Sequence, residues 1–300
     1  IEVIRGPGAT VWGANAVNGV INIITKSAQD TQGTLITAGG GDQDRTITQF
    51  RHGVEVGDDL YVRLWGKYRD HNEGLTATGH GHDDWRQGRV GFRADWTPGD
   101  GPDSFTMLGQ LYDGHEGATI PNQAIATPPF VQTVVSDGLH NGAHILGRWT
   151  HLVDDDTSWT SQFYYDRLQR MDAISDVSLD IFDIDIQNQF KVGDDHGITW
   201  GVGYRHYGDH FSGPNPFGLS VLDATSEIER VGAFIQDEVK LTDDLSFILG
   251  SKFSWNTLSG YEYQPSARLI YTPDETHAVW GAISRAVRTS VTARPDCRCG

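Results

Sequence analysis

The sequence predicts an all-β fold, a transmembrane antiparallel β-barrel, and three observations predict it. Segments that alternate apolar and polar residues follow one another from Gly33 onward. The connections between them alternate between short turns and long polar loops. No apolar run approaches the roughly 18 residues that a membrane helix requires, whereas a barrel strand needs apolar residues only on its lipid face.

The first segment, residues 1–26, is predicted to form a strand, a glycine-rich turn and a second strand. Gly6-Pro7-Gly8 ends the first run, and Val20-Ile21-Asn22-Ile23-Ile24 is strongly β-forming. Residues 27–32 form a polar linker. Because the chain opens inside a strand and carries no signal peptide, we expect the protein to extend upstream of Ile1.

The strands that follow have a period of two. Phe182, Ile184 and Ile186 lie opposite Asp183 and Asp185, and we expect the apolar side to face lipid. The same alternation occurs in residues 60–68, 89–96, 198–205 and 245–255, so that Val90, Phe92 and Phe247 share the predicted lipid face. We count about thirteen such strands, several longer than the common strand of roughly 5–6 residues.

The connections form two sets. The short set is rich in Asp, Gly and Pro and comprises residues 57–59, 98–103, 154–157, 193–196, 242–244 and 273–275. The other set includes long polar loops at residues 71–83, 115–141 and 209–226, with shorter ones near 172–177 and 257–263. Short turns at one end and long loops at the other are typical of an outer-membrane barrel, with periplasm and exterior respectively.

A soluble β-propeller or β-sandwich also alternates, with its apolar face packed on another sheet. A propeller should show a repeat of roughly 40–50 residues, and the sequence has none. A secreted propeller-type enzyme stays open as an alternative; it would need paired carboxylates in a central pocket.

Charge and motifs exclude several classes. The net charge of −17 argues against nucleic-acid binding. Gly6-Pro7-Gly8 lacks the Gly-Lys-Ser/Thr of a phosphate loop, and serine and histidine stand in no activating motif. Cys297 and Cys299 supply neither an unstrained disulfide nor a complete zinc site. We therefore predict no enzyme activity, no catalytic residues, no cofactor and no metal site.

The N-terminal segment strongly resembles the end of the plug domain in TonB-dependent outer-membrane receptors. The resemblance rests on the Arg5-Gly6-Pro7 start, the Trp12-Gly13 turn and Gly19-Val20-Ile21-Asn22-Ile23-Ile24-Thr25-Lys26. Within this plug motif, the residues predicted to have a structural role are Gly6, Pro7, Gly13, Asn15, Gly19 and Asn22. A looser resemblance, to barrel strands of the same family, is found in residues 234–238, 264–268 and 284–289.

The resemblance implies a plug inside a barrel of roughly 22 strands, of which about 13 are present. On this basis residues 1–30 are the C-terminal end of the plug and residues 31–289 the N-terminal part of the barrel. Residues 290–300 fit neither pattern, and we expect a truncated or out-of-frame tail there. The chain is thus predicted to be a fragment.

The resemblance further implies a ligand-gated active-transport receptor in the outer membrane of a Gram-negative bacterium. Its partners would be the inner-membrane TonB complex, outer-membrane lipid and a small ligand, with a ferric siderophore or related metal chelate favoured and cobalamin or glycans open. A passive porin is the nearest alternative, but porins lack a plug with this signature.

Two sets of residues are predicted to carry function. Plug arginines of the resembling family pair with barrel glutamates, which suggests a latch between Arg5 and Glu238; alternatively, Glu238 is a hydrated lumen charge. Tyr112, His144 and Tyr207, on the lumen side near the outer strand ends, and His80 and His82, in a loop, are predicted ligand contacts. The alternatives are lumen filler and a solvated loop. The aromatic girdle is predicted to include Trp96, Trp149, Trp200 and Trp255.

Overall fold

The structure is a computed structural model that describes residues 1–5, 18–76, 79–124, 128, 131–172, 175–213 and 224–288. Within these ranges the side chains at positions 5, 76, 80, 100, 121–124, 132 and 224 are outside the description. Seventeen strands occur in the described part, in chain order: β1 Glu2–Arg5, β2 Gly19–Asn22, β3 Gly33–Gly39, β4 Asp44–Val56, β5 Leu60–His71, β6 Leu75–Thr76, β7 Gly79–His80, β8 Trp85–Trp96, β9 Asp103–Ala124, β10 Val131–Leu152, β11 Ser158–Met171, β12 Asp176–Val192, β13 His196–Ser212, β14 Ala224–Thr242, β15 Leu245–Asn256, β16 Gly260–Asp274 and β17 His277–Ser284.

Thirteen of these strands form one antiparallel sheet in which each strand pairs with the next along the chain. The order runs from β3, β4 and β5 to β8 and then without interruption to β17, and β3 and β17 are the two edges. The short strands β6 and β7 pair within the loop between β5 and β8, and β1 pairs with β2. The predicted all-β fold with about thirteen barrel strands is confirmed.

The two faces of the sheet differ as the alternation predicts. Val90 is 56% exposed and Ile184 39% exposed, on the face that carries most of the large apolar side chains. Among the described residues, Ala28 is the only apolar residue that is fully enclosed. Since the sheet has no packed apolar core in the described part, its apolar face is suited to lipid rather than to a second protein layer. Within that part, no helix is long and apolar enough to cross a bilayer.

The connections fall at two ends, as predicted. Between strands of the main sheet, the short turns at one end are residues 57–59, 97–102, 153–157, 193–195, 243–244 and 275–276. Gly57 and Gly193 have φ of 68° and 63°, the left-handed conformation that glycine adopts without a steric penalty. In another turn, hydrogen bonds from the Asp156 backbone N–H and the Thr157 side chain lower the pKa of Asp154. This is the end that the difference between short turns and long loops predicts to face the periplasm.

The predicted loop at residues 115–141 is wrong over most of its length. Strand β9 continues to Ala124 and β10 begins at Val131, so both strands have 22 residues. Their cross-strand pairing is in register from Asp103 with His151 up to Ile120 with Val134, where one irregularity follows. Backbone hydrogen bonds between the two strands outweigh the polar composition that suggested a loop. The predicted 209–226 loop is likewise shorter, since β13 ends at Ser212 and β14 begins at Ala224.

Candidate functional site

The face of the sheet opposite the apolar one is called the inner face, or inner wall. On strands β8 to β11 this face carries aromatic and basic side chains in adjoining positions. The guanidinium carbon of Arg89 lies 5.6 Å from the ring centroid of Tyr112, and the ring of His140 lies 6.4 Å from that of Tyr112. Gln87 Nε2 and His140 Nε2 are 2.9 Å apart, and Arg89 Nε donates to Gln87 Oε1 at 2.6 Å. These contacts fix the orientation of the Tyr112 ring on the wall.

Gly142 provides the space that Tyr112 occupies. The two residues are directly opposite in the β9–β10 register, and a Cβ atom at position 142 would lie 2.5 Å from the Tyr112 hydroxyl oxygen. On the next strand the rings of His144 and Tyr164 are 6.0 Å apart, and the Tyr164 hydroxyl donates to Asp166 Oδ2 at 2.5 Å. The wall therefore presents rings together with hydrogen-bonding groups.

A cleft of about 540 Å³ continues along the same inner face. Four cationic side chains and two carboxylates line it: Arg148, Arg205, Arg230, Lys252, Asp183 and Asp185. Although the chain has a net charge of −17, this part of its inner face has an excess of positive charge.

The Asp183 carboxylate is buried and accepts a hydrogen bond from Arg205, which lies directly opposite it on β13. Arg205 also donates to the Tyr207 hydroxyl at 3.1 Å. On its other side Arg205 is directly opposite Arg230 of β14. Like charges in directly opposite positions repel, so the cleft favours an anion near these two guanidinium groups.

Three of the predicted ligand contacts lie on the inner face. Tyr112 and His144 stand on adjacent strands, and Tyr207 lies beside Arg205 three strands further. Because β9 and β10 extend beyond their predicted ends, Tyr112 and His144 lie near the middles of their strands rather than at the outer ends.

Of the two predicted loop histidines, His82 is not brought to this wall. His82 Nε2 lies 3.0 Å from Asp137 Oδ1, which His115 Nε2 approaches to 3.5 Å. Asp137 is an odd-numbered residue of β10, on the face opposite to His144. The His80 side chain is outside the described residues. In the described part of the chain, no group of three or more His, Cys, Asp or Glu side chains is arranged to hold a metal ion.

The predicted latch falls partly outside the description, because the side chain of Arg5 is not included. Glu238 is exposed and lies near the periplasmic end of β14, where Gln236 and Lys240 line the same inner groove. The motif positions Gly6, Pro7, Gly13 and Asn15 are likewise outside the described residues. Gly19 and Asn22 are the first and last residues of β2. Asn22 Nδ2 donates a hydrogen bond to Glu2 Oε2 of β1 at 2.9 Å.

The predicted girdle tryptophans Trp96, Trp149 and Trp255 are exposed. Trp149 Nε1 donates to Asp103 Oδ1 at 2.7 Å, and Trp200 Nε1 donates to Asn188 Oδ1 at 3.2 Å. Such rings combine an apolar body with a satisfied polar group, which suits a membrane interface.

Sequence reasoning missed the charged residues of the cleft. Arg205 and Asp183 attract no attention as separate positions, because their importance depends on being directly opposite in the β12–β13 register. The signal available was a pair of opposite charges on the same predicted face of consecutive strands.

Comparisons with known proteins agree with this geometry. The model of the family described as TonB dependent receptor-like, beta-barrel matches residues 12–295. Over 58 residues, 19% of this chain and 10% of the relative, the chain is 43% identical to the vitamin B12 transporter BtuB of Vibrio cholerae. The curated relative is therefore matched over a small part of its length.

Solved structures match over nearly the whole chain. The ferripyoverdine receptor of Pseudomonas aeruginosa superposes with a TM-score of 0.75 at 12% identity, covering 93% of this chain and 45% of the receptor. The ferric-catecholate import receptor Fiu from E. coli K12 gives 0.74 at 13% identity, with 96% and 59% covered. The siderophore receptor PirA from Pseudomonas aeruginosa gives 0.71 at 16% identity, with 96% and 49% covered.

The chain spans about half the length of these solved receptors, and at these identities the likeness concerns the fold. Family and fold are those of transport receptors rather than of enzymes. The chain belongs to the TonB-dependent receptor family, whose β-barrels lie in the outer membrane of Gram-negative bacteria.

Proposed function

We propose that the chain forms part of a ligand-gated active transporter that takes up a ferric siderophore or related metal chelate and is driven through the TonB complex. One observation carries this proposal: an aromatic wall around Tyr112 adjoins a cation-rich cleft on the inner face of a sheet whose outer face is apolar. Transport by this mechanism needs binding and movement, and no chemical turnover.

The residues of the wall indicate an anionic ligand with aromatic or oxygen-rich groups. Rings such as Tyr112 and His144 stack on flat groups, and Arg89 supplies hydrogen bonds in a planar fork. The opposed pair Arg205 and Arg230 favours negative charge on the ligand. A ferric chelate with anionic oxygen donors combines these properties.

Cobalamin is the second candidate, because the 58-residue match is to a vitamin B12 transporter. A growth experiment distinguishes the two candidate ligands. A deletion strain that carries the receptor gene at its natural length should grow on one or more ferric siderophores as sole iron source, and growth should stop when TonB is removed. TonB-dependent growth on cobalamin alone would replace the first candidate by the second, and TonB-independent uptake of small solutes would favour a porin.

We further propose that residues 1–30 are the end of the plug and residues 31–289 the barrel, with residues 290–300 as an atypical tail outside the described part. The 13-stranded sheet begins at Gly33, and β1 and β2 pair with each other rather than with that sheet. Outer-membrane lipid, the TonB complex and the small ligand are the proposed partners.

The latch between Arg5 and Glu238 belongs to this proposal. Either single exchange would place two like charges in the proposed Arg–carboxylate pair between plug and barrel, so Arg5→Glu and Glu238→Arg should each lower uptake. The double exchange should restore uptake, because it recreates the pair with opposite orientation. Uptake is measured with radiolabelled iron. If the double variant is as defective as the single ones, Glu238 is a hydrated lumen charge.

A further inference from the structure

Residues 25–32 lie against the inner wall close to the short turns; they comprise the predicted linker 27–32 and the two residues before it, and together are called the linker below. Arg63 Nη1 on β5 donates to the Lys26 carbonyl oxygen at 3.0 Å, to the Ser27 carbonyl oxygen at 3.3 Å and to Thr31 Oγ1 at 2.9 Å. Arg63 Nη1 has two N–H groups, so one of them is shared between two of these three acceptors on the linker.

The neighbouring strand β8 holds the linker through Arg93 and Asp95. The Ala28 backbone N–H donates to Asp95 Oδ2 at 2.7 Å, and Arg93 Nη1 donates to Thr25 Oγ1 at 2.8 Å. Arg93 Nε donates to Asp95 Oδ2 at 2.8 Å, and Thr106 Oγ1 of β9 donates to Asp95 Oδ1 at 2.9 Å. The carboxylate thus joins the linker to two strands of the barrel wall.

The wall is shaped for this segment. Ala28 is 0% exposed, and Thr31 is buried. A Cβ atom at Gly53 of β4 would lie 2.5 Å from the Thr31 carbonyl oxygen and 2.8 Å from Gln32 Cα. A glycine at this position is needed because the linker backbone contacts the strand backbone directly.

Two arginines of the wall also depend on the linker for hydrogen-bond acceptors. Arg63 and Arg93 are directly opposite in the β5–β8 register, where like charges repel. Asp95 offsets part of this repulsion by accepting hydrogen bonds from Arg93, and the linker carbonyl oxygens of Thr25, Lys26 and Ser27 each accept a hydrogen bond from Nη1 of one of the two arginines. If the linker left the wall, two opposed and partly buried guanidinium groups would lose these acceptors.

We propose that Arg63, Arg93 and Asp95 form a clasp that holds residues 25–32 on the barrel wall throughout transport, so that the lumen opens by movement of the chain before Thr25. This inference rests on the proposed transport function. Ile21 lies in β2, which pairs with β1 and not with the 13-stranded sheet. Arg63, Arg93 and Asp95 are positioning residues, whose role here is to hold the linker.

The clasp is tested first by hydrogen–deuterium exchange of the receptor at its natural length in lipid nanodiscs. The amides of Ala28, Asp30 and Thr31 should be protected, since each donates to a partner in or beside the linker. Arg63→Gln and Asp95→Ala should each speed exchange in residues 25–32 by about tenfold or more. Lys67→Gln is the matched control, because Lys67 is on the same face of β5 but is not among the described partners of the linker.

Heat-modifiable migration on gels verifies that each variant folds, and Arg63→Lys serves as a milder second variant if Arg63→Gln does not. An unprotected linker in the parent receptor, or equal exchange in the clasp variants and Lys67→Gln, would overturn the clasp. These results do not depend on uptake, so they stand even if the proposed function fails.

Thiol labelling in energised cells tests whether the clasp persists during transport. Ser27→Cys and Ile23→Cys are made separately with Cys297 and Cys299 replaced by serine. During uptake the thiol at position 23 should label faster, and the thiol at position 27 should change by less than about twofold. An equal rise at position 27 would overturn the proposal. If neither thiol responds although ligand binds, the proposed transport movement is wrong, and the exchange data alone decide on the clasp.

Discussion

On the inner wall, glycines leave space for the aromatic rings of residues on the neighbouring strands. A Cβ atom at Gly91 would lie 2.5 Å from the Trp65 ring, and one at Gly201 would lie 2.6 Å from the Phe234 ring. Like Gly142 beside Tyr112, these glycines allow a ring on one strand to lie over the backbone of the next. At each of these positions one strand of the pair supplies the aromatic ring, and the other supplies the glycine that leaves room for it.

Tyr112 is the residue whose loss should most directly weaken ligand binding. Tyr112→Ala should raise the Kd of the siderophore by about tenfold, which corresponds to about 1.4 kcal/mol, because the ring and its Arg89 contact are lost together. The measurement is a binding titration on purified receptor. Tyr165→Ala, an outward-facing tyrosine of β11, is the control and should leave Kd unchanged. Equal effects would show that Tyr112 is filler.

The Arg205–Asp183 pair should behave as a buried ion pair. Arg205→Met leaves the buried Asp183 carboxylate without its main donor and should lower the free energy of unfolding by about 3–5 kcal/mol. The double variant Arg205→Met/Asp183→Leu should cost less than Arg205→Met alone. Urea unfolding in lipid vesicles measures both. Additive costs would contradict a coupled pair.

The sequence indicated the faces of such residues but not their partners. Tyr112, His144 and Tyr207 were assigned to the lumen side from alternation alone, and the structure agrees. Whether Asp183 meets Arg205 depends on strand register, which a shift by one residue would change completely. Local sequence also could not place His82, since its contact with Asp137 joins two elements far apart in the chain.

Among the elements, the β9–β10 hairpin differs most from its prediction. Its outer part is polar and contains three prolines at positions 121, 128 and 129, so composition favours a loop. Pairing between residues such as Gly117 and Asp137 nevertheless continues the ladder that starts at the periplasmic end. The bounds of strands that end near long loops thus depend on interstrand hydrogen bonds, whereas the bounds at short turns follow from local turn residues.

Hydrogen exchange tests the length of this hairpin. Amides of residues 115–120 and 134–140 that donate across the pair should exchange about 100-fold more slowly than an unstructured chain. Exchange at the unstructured rate would support the loop that composition suggests.

For the whole molecule, the two-faced pattern was predictable and the architecture followed from it. Period-two alternation, about thirteen strands and short turns at one end all appear in the 13-stranded sheet. The clasp at residues 25–32 was not predictable, because Arg63, Asp95 and Gly53 come from three strands that only the folded sheet brings together.

The central claim is that lipid contacts one face of the sheet and the receptor interior the other. Ile186 and Gln189 are residues of β12 on the outer and inner faces. Unfolding of the natural-length receptor in lipid vesicles should show Ile186→Arg to be destabilised by about 2–4 kcal/mol, and Gln189→Arg by less than about 1 kcal/mol. Equal costs at the two positions, or a larger cost at Gln189, would contradict the membrane-barrel account.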